Sequence, residues 1–251
     1  MPLESRPATR FVILAAPRSG SNLLCTLLNS HPEILCHHEV YNPSGIYYAI
    51  EQRAGALDLG TIDDRDRSPL AFLERLWSTS LGHRCVGFKM TRGQNKQALE
   101  KVLRDPEVRK IVLERRNRIK TYVSTLVAER TGQWEVYSAA DLVAPGPRIH
   151  LDLDQLRQHI HLNESYYIEI NDVLSSTGQR SLVVDYESLA NPIEHRSVLG
   201  YLGIGASSYQ LKARSVKQNP ADLRALVSNY DELLGSLEGT ALFDELCSPD
   251  P

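Results

Sequence analysis

The stretch RFVILAAPRSGSNLLCTLLNS (10–30) constrains this chain most. An apolar run, Phe11–Ala16, stops at Pro17, passes through Arg18-Ser19-Gly20-Ser21, and turns at once into a helical pattern. A buried strand that hands over to a helix through a tight, Gly-containing loop opens a β-loop-α unit. At such a junction the first-turn N–H groups lack intrahelical partners and the helix dipole favours negative charge, so the place suits an anion. It is not the common triphosphate loop GxxxxGK[ST]: the first Gly is missing, no Lys follows Gly20, and the arginine stands ahead of the turn. The usual grip on a β/γ-phosphate and the Mg²⁺-holding hydroxyl are absent, so the expected anion is not a metal-bound triphosphate and no metal is called for.

The strand-then-helix pattern repeats. EILCHH (33–38) follows the first helix, RCVGFKM (84–90) precedes NKQALEKVLRD (95–105), and RKIVLER (109–115) precedes NRIKTYVSTLVAER (117–130). SLVVDY (181–186) precedes a short helical stretch ending near Gly203. Near-continuous apolar strands are what a parallel sheet covered on both faces requires. The expected fold is therefore α/β, a P-loop-like three-layer sandwich with a central, mostly parallel sheet flanked by helices. A long helix is expected over 153–176, with Leu153, Leu156, Ile160, Tyr167, Ile170 and Leu174 on its apolar face and Asp152 and Gln155 as a capping box. Two stretches rich in Gly, Pro and Asp, 51–69 and 136–149, read as surface loops of the kind that gate a site.

With 42% hydrophobic residues in 251, the chain can bury a full core, and no repeat or boundary divides it. One domain, 1–251, is expected, its first nine residues flexible. A net charge of -3 supplies no global basic field, which argues against nucleic acid as a main partner. No apolar run is long enough to span a bilayer, and MPLESRPATR has no apolar core of a secretory signal. Cys25, Cys36, Cys85 and Cys247 lack CxxC or zinc-type spacing and read as reduced thiols. The expectation is a cytoplasmic protein without a transmembrane segment; a homo-oligomer is left open.

Parallel strands joined by right-handed crossovers end on one edge of the sheet, where ligands bind. The first strand delivers Arg18-Ser19-Gly20-Ser21-Asn22 there and the second His37, His38 and Glu39. The third brings Lys89, the fourth Arg115 and Arg116, the fifth Asp185, Tyr186 and Glu187. Four cations and several hydrogen-bonding groups at one crevice, in a chain of net negative charge, read as a site for a multiply anionic ligand.

Taken with the first loop, ERRNRIKTYVS (114–124) resembles the 3′-phosphate motif of the sulfotransferases that use 3′-phosphoadenosine 5′-phosphosulfate (PAPS), in which an Arg, often followed by Asn, and a Ser stand eight residues apart. Arg116-Asn117 and Ser124 match that spacing. Pro17-Arg18-Ser19-Gly20-Ser21 resembles the family's 5′-phosphosulfate loop in its bacterial, carbohydrate-type variant. VVDYESLANP (183–192) is similar to its Y-E-D-L segment, and SVKQNPADLRALVSNYDEL (215–233) to its C-terminal segment. The resemblance runs from about residue 11 to 233 and leaves 40–80 and 135–165 unaligned, as insertions on the acceptor side.

The resemblance implies sulfuryl transfer from PAPS to an acceptor hydroxyl, most readily of a carbohydrate or glycolipid, without a metal. Arg18, Ser19, Gly20, Ser21, Asn22 and Leu23 would hold the 5′ end, and Arg116 and Ser124 the 3′-phosphate. Tyr186 would meet the adenine and Lys217 would reach the 3′ side. Glu39 takes the position of the base, with His38 in reserve, Arg18 as electrostatic stabiliser and Lys89 near the sulfonate or acceptor. A carboxylate base works best with a raised pKa, which partial burial would supply. Trp134 stands open between acceptor pocket and core. Two other readings remain: a P-loop nucleotide or small-molecule kinase with a degenerate loop, and an inactive nucleotide-binding relative.

Overall fold

The structure, a computed structural model, describes residues 7–55, 57–205 and 210–248. Of the expected flexible start, residues 1–6 lie outside the described residues, and Thr9 already belongs to the first strand. β1 (Thr9–Ala15) leads into α1 (Ser21–Asn29) and β2 (Ile34–His37). Three helices follow, α2 (Ile50–Arg53), α3 (Ile62–Arg67) and α4 (Pro69–Ser78), before β3 (Cys85–Thr91) and α5 (Lys96–Arg104). Next come β4 (Val108–Glu114), α6 (Arg118–Thr131), the long α7 (Leu153–Ser176) and β5 (Ser181–Asp185). After these stand α8 (Pro192–Tyr201), α9 (Tyr230–Leu237) and α10 (Ala241–Cys247).

All strand pairs are parallel, in the order β2-β3-β1-β4-β5. The chain leaves β1 toward β2 on one side and later crosses from β3 to β4 on the other. The carboxyl end of β1 is thus the point where the winding reverses, where such sheets open a crevice.

Side chains alternate across the pleat. Phe11, Ile13 and Ala15 pack with Leu24 and Leu28 of α1 and Val198 and Leu199 of α8. Val12 and Leu14 face Phe72 and Leu76 of α4, Val102 of α5 and Ile170 of α7. Both faces are covered, giving the three layers expected, and each fully buried large side chain stabilises by roughly 1.5–3 kcal/mol. Gly87, an interruption in an apolar strand, sits opposite Phe11, and a Cβ there would lie 2.5 Å from the Phe11 ring. A third cluster joins α6, α7, α9 and α10 through Ile119, Val123, Leu156, Leu233 and Leu246.

Two local expectations change. The stretch 51–69 is not a loop, since it contains α3 and the start of α4. Thr61 Oγ1 accepts from Asp64 N–H while the Asp64 carboxylate accepts from Thr61 N–H, a full capping box, and Pro69 opens α4. The run DDRDR has no apolar period, so these caps are what make it helical. In α7, Asp152 caps as expected, accepting from Asp154 and Gln155 N–H at 2.9 Å each. Gln155, however, accepts from the Tyr122 hydroxyl at 3.0 Å, so only half of that box forms. Residues 136–149 stay irregular apart from one turn at Ala139–Asp141. Among the described residues no helix is long and apolar enough to cross a membrane. Cys25, Cys36 and Cys85 are buried free thiols and Cys247 is exposed.

Candidate active site

A cavity of about 770 Å³ opens at the carboxyl end of β1. Its floor is the loop that follows the strand. Gly20 has φ 92° and caps α1 without a side-chain oxygen, leaving the first-turn N–H groups of Ser21, Asn22 and Leu23 at the cavity wall. Tyr186 explains the glycine, because a Cβ at position 20 would lie 2.2 Å from the Tyr186 ring. Arg18 also takes a left-handed backbone, φ 64°, a strained conformation for a residue with a side chain. Its guanidinium bridges three segments. Nε donates to Ser124 Oγ at 2.9 Å, Nη1 to the Trp134 carbonyl at 2.5 Å and Nη2 to Gln218 Oε1 at 2.5 Å. Burial first, then the nearby Arg115 charge, lower its pKa to about 10, which leaves it charged at neutral pH.

Across the cavity lies Glu39, two residues past β2. Its Oε1 pairs with Lys89 Nζ at 2.8 Å, and its Oε2 accepts from Asn42 at 2.6 Å and Gln94 at 2.9 Å. Burial pushes this carboxyl up, but the Lys89 charge and the hydrogen bonds from Lys89 and Asn42 outweigh it and hold it below its ordinary value. That reverses the raised pKa expected of a buried base. Lys89 is not at the strand end but two residues inside it, fully covered, and also donates to Asn22 Oδ1 at 2.5 Å and Ser21 Oγ at 3.3 Å. The same Asn22 oxygen lies 3.2 Å from His38 Nδ1, so Nδ1 is the ring's protonated nitrogen. Burial, then repulsion from Lys89 and Arg53, keeps His38 neutral and well below its ordinary pKa. His37, at the end of β2, points into the core and away from the cavity, accepting from Ala49 N–H at 3.2 Å.

The 5′ and 3′ ends of the expected ligand site meet in this cavity, with two exceptions. Ser19 turns inward and donates to the Ala16 carbonyl at 2.7 Å, so it holds the loop and does not line the cavity. Arg116 is on the surface, its guanidinium against Asp185, while its neighbour Arg115 lines the cavity, stacked 4.4 Å over the Tyr186 ring and donating to the Arg18 carbonyl at 3.3 Å. The reason is the pleat: successive residues leaving β4 face opposite ways, and Asp185 at the end of the paired β5 draws Arg116 outward. Ser124, Tyr186, Lys217 and Trp134 all line the cavity.

Sequence reading missed Glu135, which lines the cavity and is held by Arg53 and by the Tyr137 hydroxyl at 2.6 Å. Those hydrogen bonds outweigh its burial and keep it ionised below its ordinary pKa. It missed Asn42, Gln94 and Gln218 as well. Their partners lie 3, 55 and 200 residues away, and only HHEVYNP, where Asn42 follows Glu39 at turn spacing, carried a local signal. Among the described residues no group of three metal-ligating side chains gathers.

No family model matches the chain. It is 26% identical over 234 residues to nodulation protein H of Rhizobium meliloti strain 1021, covering 90% of each chain. To nodulation protein H of Rhizobium tropici it is 26% identical over 227 residues, 89% of this chain and 87% of that one. A crystal structure of a sulfotransferase from Alicyclobacillus acidocaldarius superposes with a TM-score of 0.48 and 21% identity over 96% of both chains. Over nine-tenths of its length the chain is thus similar to the nodulation H proteins, and its sequence carries motifs that resemble those of the PAPS-using sulfotransferases.

Proposed function

We propose that the protein transfers a sulfuryl group from PAPS to a hydroxyl of a carbohydrate or glycolipid acceptor. The observation that carries this reading is the hydrogen bond from Arg18 to Ser124, which joins the loop after β1 to α6 within one cavity. A nucleotide with anionic groups at both ends fits there, one end on the α1 N-terminus and the other on Ser124. Arg18, Lys89 and the amides of Ser21, Asn22 and Leu23 stabilise charge that gathers on the departing 5′-phosphate oxygen. Glu39, ionised and fixed by three donors, takes the acceptor proton as the acceptor O–S bond forms and the S–O bond to the phosphate breaks. The depressed pKa makes it a weaker base than an ordinary carboxylate, so its contribution lies in its fixed position against the acceptor hydroxyl.

The acceptor side is lined by Glu39, Asn42, Ser44, Tyr47, Trp134 and Glu135. Its two carboxylates are each paired with a cation, Lys89 or Arg53, which suits an uncharged polyol. The test is thermal shift: adenosine 3′,5′-bisphosphate raises the melting temperature and AMP raises it much less. Equal stabilisation by the two, or stabilisation by ATP that requires Mg²⁺, would favour a kinase-like site instead.

A further inference from the structure

Residues 62–67, IDDRDR, look like a solvated charge run, yet Arg65 within them is almost wholly buried, at 1% exposure. A buried guanidinium usually faces a buried carboxylate. Here the paired carboxylate, Asp66, is 54% exposed, and the buried end of Arg65 does something else. Its Nη1 lies 3.0, 2.8 and 3.0 Å from the carbonyl oxygens of Val40, Asn42 and Gly45. Three carbonyl dipoles aimed at one point repel one another unless a cation sits between them. The turn they belong to is the segment that follows Glu39, closed by Gly45 N–H to the Asn42 carbonyl at 3.1 Å and Ser44 N–H to Asn42 Oδ1 at 2.8 Å.

Asn42 is the link. Its backbone carbonyl is held by Arg65, and its side-chain Nδ2 donates to Glu39 Oε2 at 2.6 Å. A shift of the turn therefore reaches the carboxylate group through the Asn42 side chain, while the Glu39 backbone is tied to the same turn by Asn42 N–H at 3.2 Å and Tyr47 N–H at 3.3 Å to its carbonyl. Lys89 and Gln94 hold Glu39 from β3 and the turn after it, so loss of the Asn42 contact would rotate the carboxylate and not free it. The other charged or titratable groups coupled to Glu39 are His38 and Arg18.

We propose that Arg65 is a positioning residue for sulfuryl transfer, setting the orientation of Glu39 through Asn42. This rests on the reading of Glu39 as the base. The experiment compares Arg65→Met, Arg65→Lys, Asn42→Ala and the Met/Ala double variant. Arg65→Met is expected to lower kcat/KM for the acceptor roughly 10- to 100-fold, the scale of a misplaced catalytic group. Its affinity for adenosine 3′,5′-bisphosphate should stay within about twofold, because that end of the cavity does not touch the turn. Arg65→Lys, whose ammonium has three N–H donors for three carbonyls, should recover most of the rate. Asn42→Ala should match Arg65→Met, and the double variant should be no worse than either, as for groups acting in series.

The Glu39 carboxyl titration followed by NMR should move upward in Arg65→Met and Asn42→Ala and stay put in Arg65→Lys. Full turnover in Arg65→Met, additive losses in the double variant, or a parallel fall in bisphosphate affinity would overturn the proposal. If Arg65→Met does not fold, an unmoved Glu39 titration in Asn42→Ala overturns it. If the wild-type protein transfers no sulfonate, the base reading fails by itself, while the titration still decides whether Arg65 governs Glu39.

Discussion

Arg18 Nε donates to Ser124 Oγ at 2.9 Å although 106 residues separate them in sequence. The loop after the central strand and the second turn of α6 are therefore two walls of one site, and Ser124, whose oxygen accepts from Arg18, keeps its O–H proton to donate to a ligand anion. Ser124→Ala should weaken adenosine 3′,5′-bisphosphate about tenfold, the scale of one charge-assisted hydrogen bond, and leave AMP unchanged. Calorimetric titration of both ligands checks this. An equal loss for AMP would place Ser124 away from the 3′-phosphate.

Spacing and geometry disagree over which arginine serves the 3′ side. Arg116 matches the motif, but it lies at the surface against Asp185, whereas Arg115 lines the cavity over Tyr186. Arg115→Ala is expected to cost about tenfold in bisphosphate affinity and Arg116→Ala only a fraction of that, since exposed ion pairs contribute little. The reverse order, measured by the same titration, would mean that Asp185 releases Arg116 when nucleotide binds.

In the proposed mechanism Glu39 works with its carboxylate ionised, and its pKa sits below the ordinary 4.5 because Lys89 and Asn42 outweigh burial. The base form is lost only as pH falls through that depressed value, so kcat/KM should be flat from neutral pH down to about 5 on this account. Glu39→Gln should remove turnover and keep bisphosphate binding. Lys89→Met removes the strongest opposition to burial and should move the acid limb upward. An acid limb that stays in place in Lys89→Met would show that Lys89 does not set the Glu39 charge.

Burial lowers His37 from an ordinary 6.5 to about 4, with His83 adding repulsion. As pH falls through 6.5 the unfolded chain binds a proton there and the native state does not, so stability drops between about 6.5 and 4, by up to about 1.4 kcal/mol per pH unit. His38, shifted the same way, adds to the slope. His37→Asn, with a side-chain oxygen to accept from Ala49 N–H, should flatten the difference in urea-unfolding free energy between neutral and mildly acid buffer. An unaltered difference would assign the acid sensitivity elsewhere.

The amino-acid order alone determined the strands, the helices of regular period, the Gly-containing loop that opens the first helix and the convergence of Arg18, Glu39, Lys89, Ser124 and Tyr186. These are local signals: apolar runs, a Gly-containing turn, polar residues placed where strands end. It misread 51–69, where helices are held by caps and by a buried arginine and show no apolar stripe. It placed Arg116 and Ser19 in the cavity, although pleat direction and a turn hydrogen bond send one outward and the other inward. Only the tertiary structure decided which cation neutralises which carboxylate, and with it the sign of the Glu39 shift. Partners such as Lys89, Gln94 and Gln218 reach the site from distant segments, and a pKa depends on distances and burial that no linear spacing encodes.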